Sequence, residues 1–169
     1  VDLPGAYSMS PFTSEESITS AYVKADHADV IINIVDATNL SRSLFFTTQL
    51  LEPGVHVVDA LNKSDVNEKK ETKIDTAALS AKLGCPVINT VSITANDKGL
   101  AEVVKTAASL VGKEQKAPFE QGDIDLTSKE AVTVADRKRF AFVNDIVRSV
   151  ETRKIQTKDL NKQDKLDNI

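Results

Sequence analysis

Three short runs rich in β-branched residues recur along the first half of the chain, each followed by a segment with helical spacing. Residues 29–36 read Asp-Val-Ile-Ile-Asn-Ile-Val-Asp. Residues 55–61 read Val-His-Val-Val-Asp-Ala-Leu after Pro53-Gly54, and residues 86–91 read Pro-Val-Ile-Asn-Thr-Val after Leu83-Gly84. Compact apolar runs of this length, bounded by turn residues, are expected as buried strands of a mostly parallel sheet. Between them, Thr13-Ser14-Glu15-Glu16 resembles a capping box ahead of Ile18, Ala21, Tyr22 and Ala25. Leu40, Leu44, Thr47 and Leu51 fall on one helical stripe with Asn39 as the expected cap. Asp75 caps a short segment through Leu79 and Leu83, which Gly84 ends, and Leu100, Val103, Val104, Ala107, Ala108 and Val111 form a further amphipathic stretch stopped by Gly112. Strands alternating with helices predict an α/β fold: an open, mostly parallel sheet with helices on both faces.

After Gly112 the pattern changes. Residues 113–125 are polar, with Pro118 and Gly122, and read as a connection. Phe140, Val143, Ile146, Val147 and Val150 then recur at helical spacing within residues 135–153, and residues 154–169 carry charges of alternating sign, as in a solvated helix or linker. At 169 residues the chain can bury the core of one ordinary domain with a short appendage. A formal net charge of -4 gives no global attraction to nucleic acid or anionic lipid, so no nucleic-acid partner is expected. Cys85 is the sole cysteine, which excludes an internal disulfide and suits a reducing cytosol; with His27 and His56 it makes no zinc-type spacing. Each of these three residues is expected in a bland role, Cys85 in the core and the histidines at a surface or strand edge. Asp59 interrupts its run and is expected on a wetter face, or else at a cost in stability.

Two motifs stand where strands end, the place at which open α/β sheets bind ligands. Asp2-Leu3-Pro4-Gly5 is an Asp-x-x-Gly. At that spacing an aspartate can hold magnesium, often through water, while the glycine backbone approaches a terminal phosphate and donates its N–H. By itself the motif reads equally as an ordinary turn. Asn62-Lys63-Ser64-Asp65 is an Asn-Lys-x-Asp directly after the second run. Its carboxylate can accept the guanine N1–H and exocyclic amine, its lysine stem can lie over the purine face, and its asparagine can brace neighbouring loops. The competing reading is that Asn and Asp cap the next helix. In the right order, separated by strand, helix and strand, the two motifs make a guanine-nucleotide fold the best account. A base-contacting loop should follow the third run, where Thr90-Val91-Ser92-Ile93 stands.

These residues resemble the cytosolic GTPase region of the FeoB-type ferrous iron transport family. Residues 2–11, Asp-Leu-Pro-Gly-Ala-Tyr-Ser-Met-Ser-Pro, are similar to its switch II, and residues 35–44, Val-Asp-Ala-Thr-Asn-Leu-Ser-Arg-Ser-Leu, to its strand-to-helix stretch. Gln49-Leu50-Leu51-Glu52 and residues 83–88 are similar as well. The likeness covers residues 1–112 and resumes in residues 119–123 and 135–142, which look like parts of the family's helical domain. The resemblance implies a P-loop GTPase-type sheet over residues 1–112, from switch II onward, and a shortened helical domain and linker over 113–169. It implies that Asp2 (through water) and Gly5 face magnesium and the terminal phosphate, that Asn62, Lys63 and Asp65 select guanine, and that Val91 and Ser92 form the last base-contacting loop. GTP or GDP and magnesium are the implied cofactors. The implied function is that of a GTP-binding regulatory domain whose hydrolysis cycle is coupled to Fe(II) uptake. It would lie on the cytoplasmic face of the cell membrane and join a membrane domain C-terminal to Ile169, with a homo-oligomer left open.

The sequence departs from expectation in four places, three from the family's own pattern and one, shared with its relatives, from that of GTPases at large. No Gly-x-x-x-x-Gly-Lys-Ser/Thr occurs in it, so the phosphate cradle and its strand are missing. Removing that strand is expected to leave neighbouring strands unpaired and apolar faces bare. Truncation or a split gene explains this best, and the isolated chain is expected to be inactive as an enzyme. Ala6-Tyr7 follow the Asp-x-x-Gly where many GTPases place a water-orienting glutamine, so no catalytic residue is assigned and slow turnover is expected. Lys63 stands where relatives usually carry a hydrophobic residue, and the stretch between Gly112 and Ala135 is shorter than theirs. The alternative is a degenerate, non-hydrolysing GTPase-like module that only contacts partner proteins.

Overall fold

In the computed structural model, residues 1–9, 13–25, 28–93, 98–125 and 127–153 are described. His27 and the charged stretch 154–169 lie outside them. The elements run α1 (Ser14–Ala25), β1 (Ile31–Asp36), a 3-10 turn (Ala37–Asn39), α2 (Leu40–Leu51), β2 (Val57–Asn62), α3 (Ser64–Lys69), β3 (Thr72–Ile74) and α4 (Thr76–Leu83). They continue with β4 (Val87–Asn89), α5 (Lys98–Leu110), α6 (Lys129–Val150) and β5 (Glu151–Arg153).

The three sequence runs form a parallel sheet in the order β1-β2-β4, with Ile31 opposite Val57 and Asp36 opposite Asn62. β2 is the middle strand, and Val57 to Leu61 are all buried, which is why its sequence is nearly continuous in apolar residues. Its two faces feed two cores. Val57 and Leu61 join Val35, Leu44, Leu50, Leu51, Leu79, Leu83 and Val143 on the side of α2, α4 and α6; Val58 and Ala60 join Ile88, Val103 and Ala107 beneath α5. Helices therefore cover both faces. Among the described residues β1 pairs only with β2, and the side chains that share its α5-facing side, Ile32 and Ile34, are exposed, Ile34 by 65%. β1 thus presents an unpaired edge beside exposed apolar side chains.

Local chemistry sets the ends of the elements. Thr13 Oγ1 accepts from the Glu16 N–H at 3.2 Å, giving the cap of α1. The inward residues of α1 are Thr19, Ser20 and Val23, whereas Ile18 is 54% exposed, so the expected stripe through Ile18 is rotated: Thr19 faces inward to donate to the Pro4 carbonyl at 3.1 Å. Asn39 precedes α2 but makes no side-chain cap bond. Asp36 caps that corner instead, accepting from the Thr38 N–H at 2.9 Å. Asp75 caps α4 through the Ala78 N–H, and Gly84 ends it at φ +70°, a left-handed position that suits glycine. In α5 only Gly99, Val103 and Ala107 are buried, while Val104 and Val111 are exposed.

α6 starts earlier than expected because Ser128 caps it, its hydroxyl accepting from the Ala131 N–H. It packs on α2 and α4. Arg139 of α6 is buried, donates to Thr48 Oγ1 at 3.5 Å and pairs with Glu52, whose other oxygen accepts from the Gln121 N–H at 2.8 Å. The Phe140 and Phe45 rings stack at 4.2 Å. After α6 the chain forms β5, antiparallel to β3, a two-stranded sheet that the short polar sequences on either side gave no reason to expect.

Asp59 contradicts its expected wetter face. It is fully buried in the middle strand, facing α2. Asn33 Nδ2 donates to its Oδ1 at 2.9 Å, and the Thr47 hydroxyl lies 3.2 and 3.1 Å from its two oxygens. His56 precedes β2, half-buried; Cys85 is in the core as expected.

Candidate functional site

The C-terminal ends of β1, β2 and β4 bring the candidate residues of the Asn-Lys-x-Asp loop together. Asn62 is the last residue of β2, and Ser92 lies just beyond β4, thirty residues later. Asn62 Nδ2 donates to Ser92 Oγ at 3.0 Å, and the Ser92 N–H donates to Asn62 Oδ1 at 3.0 Å. This two-way bond ties the loop after β2 to the Val91-Ser92 loop. The Ser64 hydroxyl adds a bond to the Thr90 carbonyl at 3.2 Å. Asp65 lies in the first turn of α3, partly exposed, with Lys69 one turn on at 3.8 Å. A carboxylate there, near a helix start and open to solvent, can accept two N–H groups from a planar ligand.

Lys63 adopts φ +65°, unusual for a side-chain-bearing residue, and its Nζ lies 2.6 Å from Asp36 Oδ2. Partial burial pushes the Asp36 carboxyl up, but bonds from Lys63 and Thr38 outweigh it and hold it below the ordinary carboxylate range. The hydrogen bond and charge of Asp36 raise Lys63 in turn. Asp36 is a residue of this site that motif reading missed. Its signal was only its place: a strand-terminal aspartate in register with the asparagine of the motif.

The Asp-x-x-Gly is held differently. Asp2 and Gly5 are exposed, and among the described residues neither has a hydrogen bond or ion pair. A Cβ at Gly5 would meet nothing within 4 Å, so no neighbour in this structure demands glycine there. The segment is held by its flanks: Thr19 bonds the Pro4 carbonyl, the Met9 N–H donates to Gln49 Oε1 at 2.8 Å, and Arg42 lies 4.0 Å from the Tyr7 ring centroid. An unengaged carboxylate such as Asp2 fits an outer-sphere contact to hydrated magnesium, which retains most of its waters. No cluster of three or more candidate ligands occurs among the described residues.

A parallel sheet with helices on both faces, ending in a braced Asn-Lys-x-Asp loop, defines the G-domain class of the P-loop GTPase fold. Solved structures agree. An S. thermophilus NFeoB mutant bound to GDP superposes with a TM-score of 0.72 at 27% identity, covering 89% of this chain and 80% of that one. A GDP-bound S. thermophilus FeoB G-domain mutant gives 0.68 at 30% identity, covering 89% and 80%. Residues 1–107 match the family described as Ferrous iron transport protein B, and the chain belongs to that family. The Fe(2+) transporter FeoB of Escherichia coli K12 is 49% identical over 96 residues, and that of Salmonella typhimurium LT2 is 48% identical over 96 residues. Each alignment covers 54% of this chain, which spans only 12% of the length of those relatives. Among the described residues no helix is long and apolar enough to cross a membrane.

Proposed function

We propose that this chain forms the base-reading part of a guanine-nucleotide site in a transporter's GTPase domain, with Asn62, Lys63, Asp65, Val91 and Ser92 around the base. Asp2, through water on magnesium, and Gly5, through its N–H, serve the terminal phosphate. GTP hydrolysis in the full-length protein then regulates Fe(II) passage through a membrane domain, with this domain on the cytoplasmic face of the cell membrane. Residues 1–112 carry the nucleotide chemistry, and 113–169 form the helical appendage. The bare edge of β1 is where a strand leading to a phosphate cradle pairs.

One observation carries the reading: the reciprocal Asn62–Ser92 bond, which joins two loops at the ends of neighbouring strands beside Asp65. Two strand-end loops braced this way set the Asp65 carboxylate, which pairs with Lys69 at 3.8 Å and makes no cap bond to α3, where it can read a ligand edge. The GDP-bound neighbours support the same ligand class.

The test is Asp65→Asn in the full-length gene product. An amide in place of the carboxylate reverses one hydrogen-bond polarity, so guanine loses an acceptor and xanthine gains a donor. GDP affinity should fall by about a hundredfold while xanthosine diphosphate affinity rises. Unchanged GDP affinity would remove Asp65 from the site.

A further inference from the structure

Lys63 combines two features that call for a third group. Its left-handed backbone lifts the side chain off the regular path of the strand-to-helix turn, and its four-carbon stem is half-exposed. A free lysine there would lose much of its rotamer freedom on binding a ligand. Asp36 meets that need through the sheet. It is the last residue of β1, in register with Asn62, so the strand pairing alone sets it beside the residue preceding Lys63. Its two oxygens have separate duties. Oδ1 accepts from the Thr38 N–H at 2.9 Å and the Thr38 hydroxyl at 2.7 Å, and the Asp36 N–H is itself held by Ser43 Oγ at 3.2 Å. The carboxylate is thereby fixed in orientation, with Oδ2 left to accept from Lys63 Nζ at 2.6 Å.

We propose that Asp36 is a positioning residue of the base-reading site: it anchors the Lys63 ammonium so that the aliphatic stem is laid in place before a purine arrives. The proposal rests on the reading of Asn62, Lys63 and Asp65 as a guanine site. It adds a residue of β1, outside the motif, on which nucleotide affinity depends only through Lys63. Because the pair is partly exposed, its contribution is modest and falls with salt.

The test is a double-mutant cycle in the full-length gene product, read by titration with a fluorescent GDP analogue. Asp36→Asn keeps an oxygen for Thr38 and removes the charge that holds Lys63; Lys63→Met keeps an apolar stem and removes the ammonium. Each single variant should weaken GDP binding by about fivefold, and the double variant no further than either. The Asp36→Asn loss should shrink between about 0.05 and 0.5 M salt, as a merely structural defect would not. With melting temperatures unchanged, an Asp36→Asn variant of full affinity, or two losses that multiply, overturns the positioning role. If Asp65→Asn still exchanges guanine for xanthine in that case, the base-reading site stands and the proposal alone is refuted. If Asp65→Asn leaves guanine preference intact, the site reading fails and the proposal fails with it.

Discussion

Replacing Asp59 by asparagine should stabilise the domain at alkaline pH and do almost nothing near pH 5. Among the described residues the buried carboxyl's hydrogen-bond partners are neutral: Asn33 Nδ2 at 2.9 Å and the Thr47 hydroxyl at 3.2 and 3.1 Å, with the Cys85 thiol close enough to be pushed up by burial and by the Asp59 charge. Hydrogen counting shows why the acid form fits. With Asp59 protonated, its O–H donates to Thr47 Oγ1, the Thr47 hydroxyl turns to the Ser43 carbonyl at 3.4 Å, and Asn33 Nδ2 donates to Asp59 Oδ1. Burial raises the Asp59 carboxyl from 3.8 to about 7, against the opposing pull of the Asn33 and Thr47 bonds. The folded state therefore holds this proton more tightly than the unfolded chain. Its stabilising effect is fully present below pH 4, is lost as pH rises toward 7, and leaves a constant penalty above. At about 1.4 kcal/mol per tenfold change in proton affinity, that penalty reaches about 4 kcal/mol.

Asparagine reproduces the acid form, with Oδ1 toward Asn33 and an N–H toward Thr47, but leaves a second buried N–H that costs about 1–2 kcal/mol. Asp59→Asn should thus exceed the parent by about 2–3 kcal/mol at pH 8, and the two should come within about 1 kcal/mol at pH 5. Urea denaturation followed by circular dichroism from pH 5 to 8 measures the difference, in which the titration of the other carboxylates cancels. A variant less stable than the parent at pH 8, or a difference that does not change with pH, refutes the reasoning.

Two further outcomes follow from the packing of α6 and the edge of β1. Arg139→Ala leaves Glu52 without its cation in a partly buried cleft, so it should cost about 3 kcal/mol in urea denaturation, while Glu52→Ala combined with Arg139→Ala should cost less than the separate losses added together. Additive losses would mean that the pair is not coupled. Ile34→Lys changes a side chain 65% exposed on the bare edge of the sheet, so the 169-residue chain should keep its stability within about 0.5 kcal/mol. In the full-length gene product the same change should cost about 2 kcal/mol or more, because a covered edge would bury the ammonium. Equal effects in both proteins would show that nothing covers β1.

The parallel sheet was legible because β2 is buried on both faces and, Asp59 apart, spells it in apolar residues; α4 was legible because it turns Leu79 and Leu83 inward, and α2 because its stripe of Leu40, Leu44, Thr47 and Leu51 is buried, although its buried surface extends well beyond that stripe. What escaped the sequence were groups whose partners lie far along the chain. Arg139 looks like one more surface charge in a helix rich in them, and only the approach of α6 to α2, bringing it to residues 87 and 91 positions away, makes it a buried ion-pair partner. Asp59 looks like a break in a strand, and only the register that sets it against Asn33, with Thr47 of α2 above, supplies its hydrogen bonds. α1 misled for a local reason: its inward side binds the Pro4 carbonyl through Thr19, so polarity, rather than the stripe through Ile18, faces in.

That distinction separates the two halves of the candidate site. Asn62, Lys63 and Ser92 are each bonded to a neighbouring strand end, so their geometry is fixed by the same register that builds the core. Asp2 and Gly5 make no bond of their own among the described residues; their segment is held through Thr19, Arg42 and Gln49 and by the packing of Ala6 and Met9 on the core. If Asp2 and Gly5 serve the terminal phosphate as proposed, ligand selectivity comes from the half fixed by the sheet at little ordering cost, and phosphate binding depends on the contacts that hold residues 2–9. Discrimination between guanine and xanthine should therefore respond to substitutions in the strand-end loops, and the difference between di- and triphosphate affinity to substitutions at the contacts that hold residues 2–9.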